Sequence, residues 1–168
     1  MLTALGRPSV ERGKSIAIGL LVVLLAMAVW QVSDGRAVAA RDQQDREAVA
    51  AVARRFAVAL TTYDYGHPNV QGLALAAVSS SAVRQRVGNA VTDLVAARAS
   101  SIGDVGSIVV LTLAGSTSAV LVQTVQIMSS RYDPTPTNLK GLLQVELNQA
   151  GGGWTVTDYS WDLAPEPS

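Results

Sequence analysis

The sequence predicts an α+β domain, with helices packed on one face of an antiparallel sheet, carried behind a single N-terminal transmembrane helix. Three observations predict it. Ser15–Val32 is almost wholly apolar and uncharged. From Val49 to Val95 apolar residues recur at spacings of three and four. After Ser100 the period falls to two and β-branched residues dominate. Helices first and a strand meander after is the order of an α+β fold.

Residues 15–33 as a helix span roughly 28 Å, close to the hydrocarbon thickness of a bilayer. The aliphatic side chains together favour insertion by roughly 3–5 kcal/mol. Arg7, Arg12 and Lys14 precede the segment against one acid, Glu11, whereas Asp34 and Arg36 cancel on the other side. The basic flank stays in the cytoplasm, which places residues 34–168 outside and Trp30 at the outer interface. The competing reading is a cleavable signal peptide ending near Ala37-Val38-Ala39; both readings export the domain. Residues 1–14 form a cytoplasmic tail and 34–47 a charged helical stalk.

The exported domain is read as 48–163. Val49, Val52, Phe56, Leu60 and Tyr63 form one helical stripe. Gly66 and Pro68 stop that helix in the turn Tyr63-Asp64-Tyr65-Gly66-His67-Pro68. Asn69 is placed to cap a short helix, Val70–Val78. Ser79-Ser80-Ser81 offers caps for a third, with Val83, Val87, Val91, Leu94 and Val95 on one face.

Strands are read over Ile102–Ala114, Ala119–Ser129, Leu139–Gln149 and Trp154–Trp161. The loop Asp133–Thr137 holds two prolines and cannot lie in a central strand. Leu143, Val145 and Leu147 point in, and Gln144, Glu146 and Asn148 out. Gly151-Gly152-Gly153 turns the last hairpin. Gly103, Gly106 and Gly115 are places where bends or bulges come easily. Residues 164–168 are read as a disordered tail.

Composition excludes several classes. There is no cysteine, hence no disulfide or thiolate metal site, and a single histidine leaves no transition-metal ligand set. Formal net charge is zero, and no basic stripe marks a nucleic-acid surface.

The order of parts and four local patterns resemble the Mce-associated membrane proteins, accessory proteins of Mce lipid-import systems. The patterns are Leu60-Thr61-Thr62-Tyr63-Asp64-Tyr65, then Val120-Leu121-Val122 leading to Gln123 and Gln126, a proline-containing loop, and Gly153-Trp154-Thr155-Val156-Thr157-Asp158. The likeness covers Ser15 to Trp161. The family often has a basic residue where Gly66 stands here. The resemblance implies a retained single-pass anchor and an exported cone similar to nuclear transport factor 2. It also implies a non-enzymatic role, without cofactor, as an assembly partner of a lipid or sterol transporter. The inner-membrane scaffold of type IV secretion systems shares the anchor and the cone, and it predicts self-association. A small-molecule-binding cone is the third class.

For chemistry, His67 with Asp64, Asp158 or Asp162 is the one candidate base and acid set. The simpler reading is an exposed turn residue. Tyr63, Asp64 and Tyr65 form a cluster in which Asp64 accepts backbone N–H bonds of the turn while a tyrosine ring closes the core. Asp158 is either a buried acid needing Arg84, Arg86 or Arg98, or lies beyond a bulge. Trp154 and Trp161, an odd number of residues apart, fall on opposite faces of a regular strand, one in the core and the other either covered by a helix or exposed as a contact point.

Overall fold

The structure, a computed structural model, describes residues 38–165. The expected tail 1–14 and membrane segment 15–33 lie outside the described residues. Among those described, no helix is long and apolar enough to cross a membrane. Asp45–Ser168 makes a compact unit distinct from Met1–Gln44.

Helix α1 covers 38–61 of the described residues. Its side chains from 38 to 44 are exposed. From Val49 onward one stripe is buried: Val49, Val52, Ala53, Phe56, Ala57 and Leu60. Thr61 ends the helix, and Tyr63–Asp64 forms a two-residue strand, β1, where the sequence reads as the last helical residue and the start of a turn. Helix α2 is Pro68–Ala76, α3 is Ser81–Ala96, and the strands β2 to β5 are Ser100–Ala114, Thr117–Ser129, Thr137–Ala150 and Gly153–Pro165. Ala164 and Pro165 therefore belong to a strand rather than to a tail. Each strand pairs antiparallel with the next, in the order β1-β2-β3-β4-β5.

The start of α2 also departs from expectation. Pro68, with its preset φ, occupies the first turn and pushes the cap position back to His67, so Asn69 lies inside the helix. At α3 the cap is Ser80, whose Oγ accepts the Val83 N–H at 3.3 Å. The linker before it pairs with the sheet: Val156 N–H donates to Val78 O and Ser80 N–H to Val156 O, at 2.9 and 2.8 Å. That covers part of the β5 edge.

One core lies between the helices and the inner sheet face. Val120, Val122, Leu143, Val145, Leu147 and Val156 meet the α1 stripe, with Leu75 from α2 and Val83 and Val87 from α3. Phe56 packs edge-on against Tyr159, ring centres 5.4 Å apart. Truncating a fully buried phenylalanine in such a core costs about 3–5 kcal/mol. Leu143, Val145 and Leu147 are buried and Gln144, Glu146 and Asn148 exposed, the alternation read from sequence.

Ladder irregularities bend the sheet. β2 is bulged between Val105 and Ser107, at Gly106, and between Val110 and Thr112. β5 is bulged opposite Glu146 and Leu147: Asp158 pairs with Glu146 and Val156 with Leu147, leaving Thr157 unpaired. Gly103 does not bulge. It marks where α1 comes closest to the sheet, for a Cβ there would lie 2.0 Å from Thr61 Oγ1 and 2.2 Å from Thr61 Cβ. The Thr62 hydroxyl accepts the Gly103 N–H at 3.1 Å, filling in for β1 where that short strand ends.

Gly103→Ala is expected to destabilise the domain by about 1–3 kcal/mol, since α1 must move off β2. Gly88→Ala, at an exposed α3 position with nothing within 4 Å of the added methyl, is expected to stabilise by about 0.4–1 kcal/mol. Thermal or urea melts of the two single variants check both signs.

Candidate functional site

The helix ends and the inner sheet face enclose a cavity of about 420 Å³. Burial along α3 falls from Val83 and Val87, through half-buried Val91 and Leu94, to Val95 at 39% exposed. Leu60, Val87, Val91, Leu94, Trp161 and Leu163 supply apolar wall, and Tyr63 and Gln71 the polar groups used below. A cavity of this size and lining falls within the range of small-ligand pockets.

Gln71 is held by the end of α1. Its Nε2 donates to Ala59 O at 3.2 Å and Leu60 O at 3.3 Å, two carbonyls of the last helical turn. Carbonyls of a final turn lack partners within their own helix, so the amide acts as a cap supplied from α2. With Nε2 spent on two acceptors, Oε1 has no partner, and the residue is only 5% exposed. A buried acceptor left in that state costs about 1–3 kcal/mol. Sequence reading missed Gln71. A glutamine beside Gly72 in a short helix carries no signal of burial.

Asp93 and Gln126 also line the wall, with Gln126 Oε1 accepting from Ser101 Oγ at 3.4 Å, and two donors there are already engaged. Tyr63 O–H donates to Met128 Sδ at 3.1 Å, and Trp161 Nε1–H to Thr124 Oγ1 at 3.3 Å. Burial pushes the Tyr63 phenol above its ordinary range, so it stays neutral. A Cβ on Gly141 would lie 2.6 Å from Trp161 Nε1 and 2.8 Å from Thr124 Oγ1, so the missing side chain is what seats the indole.

Asp64 and His67 face another way. They line an open cleft with Ser100 and Ile102. Asp64 Oδ1 accepts the Gly66 N–H at 2.9 Å, and Oδ2 pairs with His67 Nδ1 at 2.9 Å. These bonds, the histidine's first, hold the Asp64 carboxyl below its ordinary range. Ser100 Oγ also reaches Asp64 Oδ1, at 3.4 Å, rather than the imidazole. A nucleophilic triad needs serine on histidine and histidine on acid. Here serine and histidine both converge on the acid, and the arrangement fixes a turn. Tyr65 is 45% exposed and is tied by its backbone N–H to Ala99 O. Among the described residues no three His, Asp or Glu side chains gather as a metal site.

The tryptophan expectation is overturned by the Thr157 bulge. The extra residue reverses the alternation of β5, so Trp154, Val156, Tyr159 and Trp161 all belong to the core or pack against it. Trp154 is buried, with Nε1 unpartnered; Trp161 is half-buried at the cavity. Asp158 comes just after the bulge and is exposed. It accepts from Arg86 Nη2 at 2.5 Å, and that guanidinium lies 4.2 Å from the Tyr159 ring centre. Arg86, and next the Tyr159 N–H, hold the Asp158 carboxyl below its ordinary range.

No family model matches the sequence, and no characterised protein matches it significantly. Solved structures do. An IcmL-like type IV secretion system protein from Legionella pneumophila superposes with a TM-score of 0.56 at 16% identity, over 73% of this chain and 96% of that one. CagV, a VirB8 homologue of the type IV secretion system of Helicobacter pylori, gives 0.54 at 9% identity, over 72% and 99%. A hexachlorocyclohexane dehydrochlorinase gives 0.58 at 8% identity, over 75% and 91%. The likenesses establish the fold, a curled antiparallel sheet with helices on one face, and the same fold carries both secretion subunits and an enzyme.

Two outcomes are expected. Gly141→Ala displaces Trp161 from Thr124, lowers stability by about 1–3 kcal/mol, and shifts tryptophan emission. Asp158→Asn lowers the Tm at neutral pH. Because the folded carboxyl titrates below its unfolded value, the pair's contribution is present above the ordinary carboxylate range and is lost as pH falls through the lowered value. The Tm difference between wild type and variant should therefore close in acid, as a pH series of melts would show.

Proposed function

We propose that this chain is a non-enzymatic, single-pass membrane protein whose C-terminal domain serves as a scaffold subunit of a multi-subunit secretion complex in the cell envelope. The observation that carries the reading is the likeness to the IcmL-like protein and to CagV. Nearly the whole of each of those chains is matched by about three-quarters of this one, which also holds an apolar segment with a basic N-terminal flank. A subunit of this kind contributes surface rather than chemistry. The Asp64–His67 pair, spent on a turn, and the Asp158–Arg86 pair, spent on an edge, fit that role. Assembly with further copies of itself belongs to the same reading.

A second reading keeps the same anchor and fold but places the chain in an Mce-type lipid-import complex. The specific support is the resemblance at Leu60–Tyr65 and Gly153–Asp158. In the structure the first stretch joins α1 to the sheet and the second holds the β5 bulge. Both are sites where fold rather than partner choice fixes the residue type, which favours the first reading.

Extraction of the full chain from its native membrane in mild detergent, followed by identification of what co-purifies, separates the two. Conjugation or secretion subunits are the expected partners. Mce-type permease subunits would transfer the chain to the second reading. A chain recovered alone from crosslinked membranes, without even a second copy, would defeat both.

A further inference from the structure

We propose that β2 pairs with β2 of a second copy of this chain, antiparallel about a two-fold axis near Val109, so that two sheets join across the edge each domain leaves open. The inference rests on the scaffold reading for self-assembly and names the surface that assembly uses.

β2 runs from Ser100 to Ala114, but β1 pairs only with Ser100 and Ser101. Local devices occupy the next backbone groups. The Thr62 hydroxyl bonds both the N–H and the carbonyl of Gly103, and Asp104 Oδ1 accepts the Val105 N–H at 2.7 Å. From Ile108 to Leu111 no group among the described residues pairs with the side of β2 turned away from β3. Folded proteins guard such an edge with lysine, proline or an inward-pointing charge. Here the edge reads Ile108-Val109-Val110-Leu111-Thr112-Leu113, with no charge and no proline. A near-continuous apolar run is the pattern of a strand covered on both faces inside a sheet, and this fold puts it at a margin. Val109 and Leu111 are accordingly 52% and 51% exposed, and Ile108, Val110 and Leu113 are only partly buried against the core. The opposite margin differs, for Val78 and Ser80 pair with β5 at Val156.

A second copy is the occupant that fits. Pairing about Val109 sets Ile108 opposite Val110, Ser107 opposite Leu111 and Asp104 opposite Ala114. Apolar residues then meet at the centre, and Asp104, the one charge in the strand, faces no like charge. A two-fold contact uses the same edge on both chains and so closes at two. The bulges at Gly106 and between Val110 and Thr112 bound the regular stretch and keep the pairing short. The sequence before residue 38 offers no substitute strand: it is a basic stretch and the apolar segment assigned to the bilayer, without a strand's period of two.

The chain has no cysteine, so introduced thiols report proximity without background. The experiment oxidises membranes that carry the full chain and reads disulfide-linked dimer on a non-reducing gel. A disulfide needs Cα atoms within about 7 Å. Val109→Cys is therefore expected to link to its own copy, and Ser107→Cys combined with Leu111→Cys to link across the axis. Gln144→Cys, exposed on β4 and two strands in from the edge, is expected to stay unlinked. In the cysteine-free chain Val109→Lys sets two ammonium groups face to face and should weaken the dimer about tenfold in detergent, with an unchanged melt. If that variant does not melt cooperatively, Leu111→Lys and the linkage pattern decide. No linkage at the edge positions, equal linkage at Gln144→Cys, or a dimer undiminished in both lysine variants would each overturn the proposal. An edge overturned while secretion subunits still co-purify leaves the scaffold reading standing, and a linked edge beside Mce-type permease subunits removes that reading and keeps the edge.

Discussion

The domain depends on one contact: the buried stripe of α1 against the inner face of the sheet. A long antiparallel meander has two faces and needs one of them covered. The chain has few large side chains with which to cover it. Phe56 is its only phenylalanine, and the rest of the stripe is valine, alanine and leucine. Small residues bury little area each, so the layers must approach closely for the core to fill. Gly103 under Thr61 is where α1 comes that close to the sheet, and Gly141 lets the Trp161 indole lie flat along the sheet's inner face. With no cysteine to crosslink the chain, close packing is the main device available.

Much of this was legible in the sequence, because both elements of the core are periodic. The α1 stripe and the β4 alternation follow from spacing alone. What failed to show was everything decided by a single unpaired residue or a distant partner. Tyr63 reads as the next member of the α1 stripe, but pairing with Ser101 draws it into a strand. Trp154 and Trp161 read as opposed, because nothing in Trp154–Trp161 announces that Thr157 drops out of the ladder. Gln71 reads as a surface residue of a short polar-flanked helix, although two carbonyls of another helix bury it. Tertiary contact overrides local pattern in each case. Asp158 reads as either buried or beyond a bulge, with Arg86 among three possible partners, and the Thr157 bulge decides for the exposed position.

The polar groups sort by what they serve. Asp64, His67 and Ser100 close a turn beside β1. Arg86 and Asp158 tie α3 to an edge strand across the ring of Tyr159. These contacts are exposed and bind the domain to itself. The cavity wall is different: Tyr63 and Trp161 donate to Met128 and Thr124, Gln126 accepts from Ser101, and the buried Gln71 Oε1 has no partner. Fold likeness carries no choice between secretion subunit and enzyme, since both occur on this scaffold, and the placement of individual polar atoms is what separates a surface that holds a shape from one that receives a molecule.

The Thr157 bulge has a consequence for how this chain can change over generations. β5 is two short runs that are out of step by one residue, and its ring-bearing positions face inward only because of that slip. Replacing an outward side chain in either run leaves the count untouched. Flattening the bulge with Thr157 retained would turn Tyr159 and Trp161 out to water together, whereas losing Thr157 would leave Val156, Asp158, Tyr159 and Trp161 opposite the same partners on a regular strand, with both rings still inward. The strand thus tolerates a gap at one place, and lineages carrying this domain should show a lost residue in β5 at the position of Thr157 before they show one elsewhere along it.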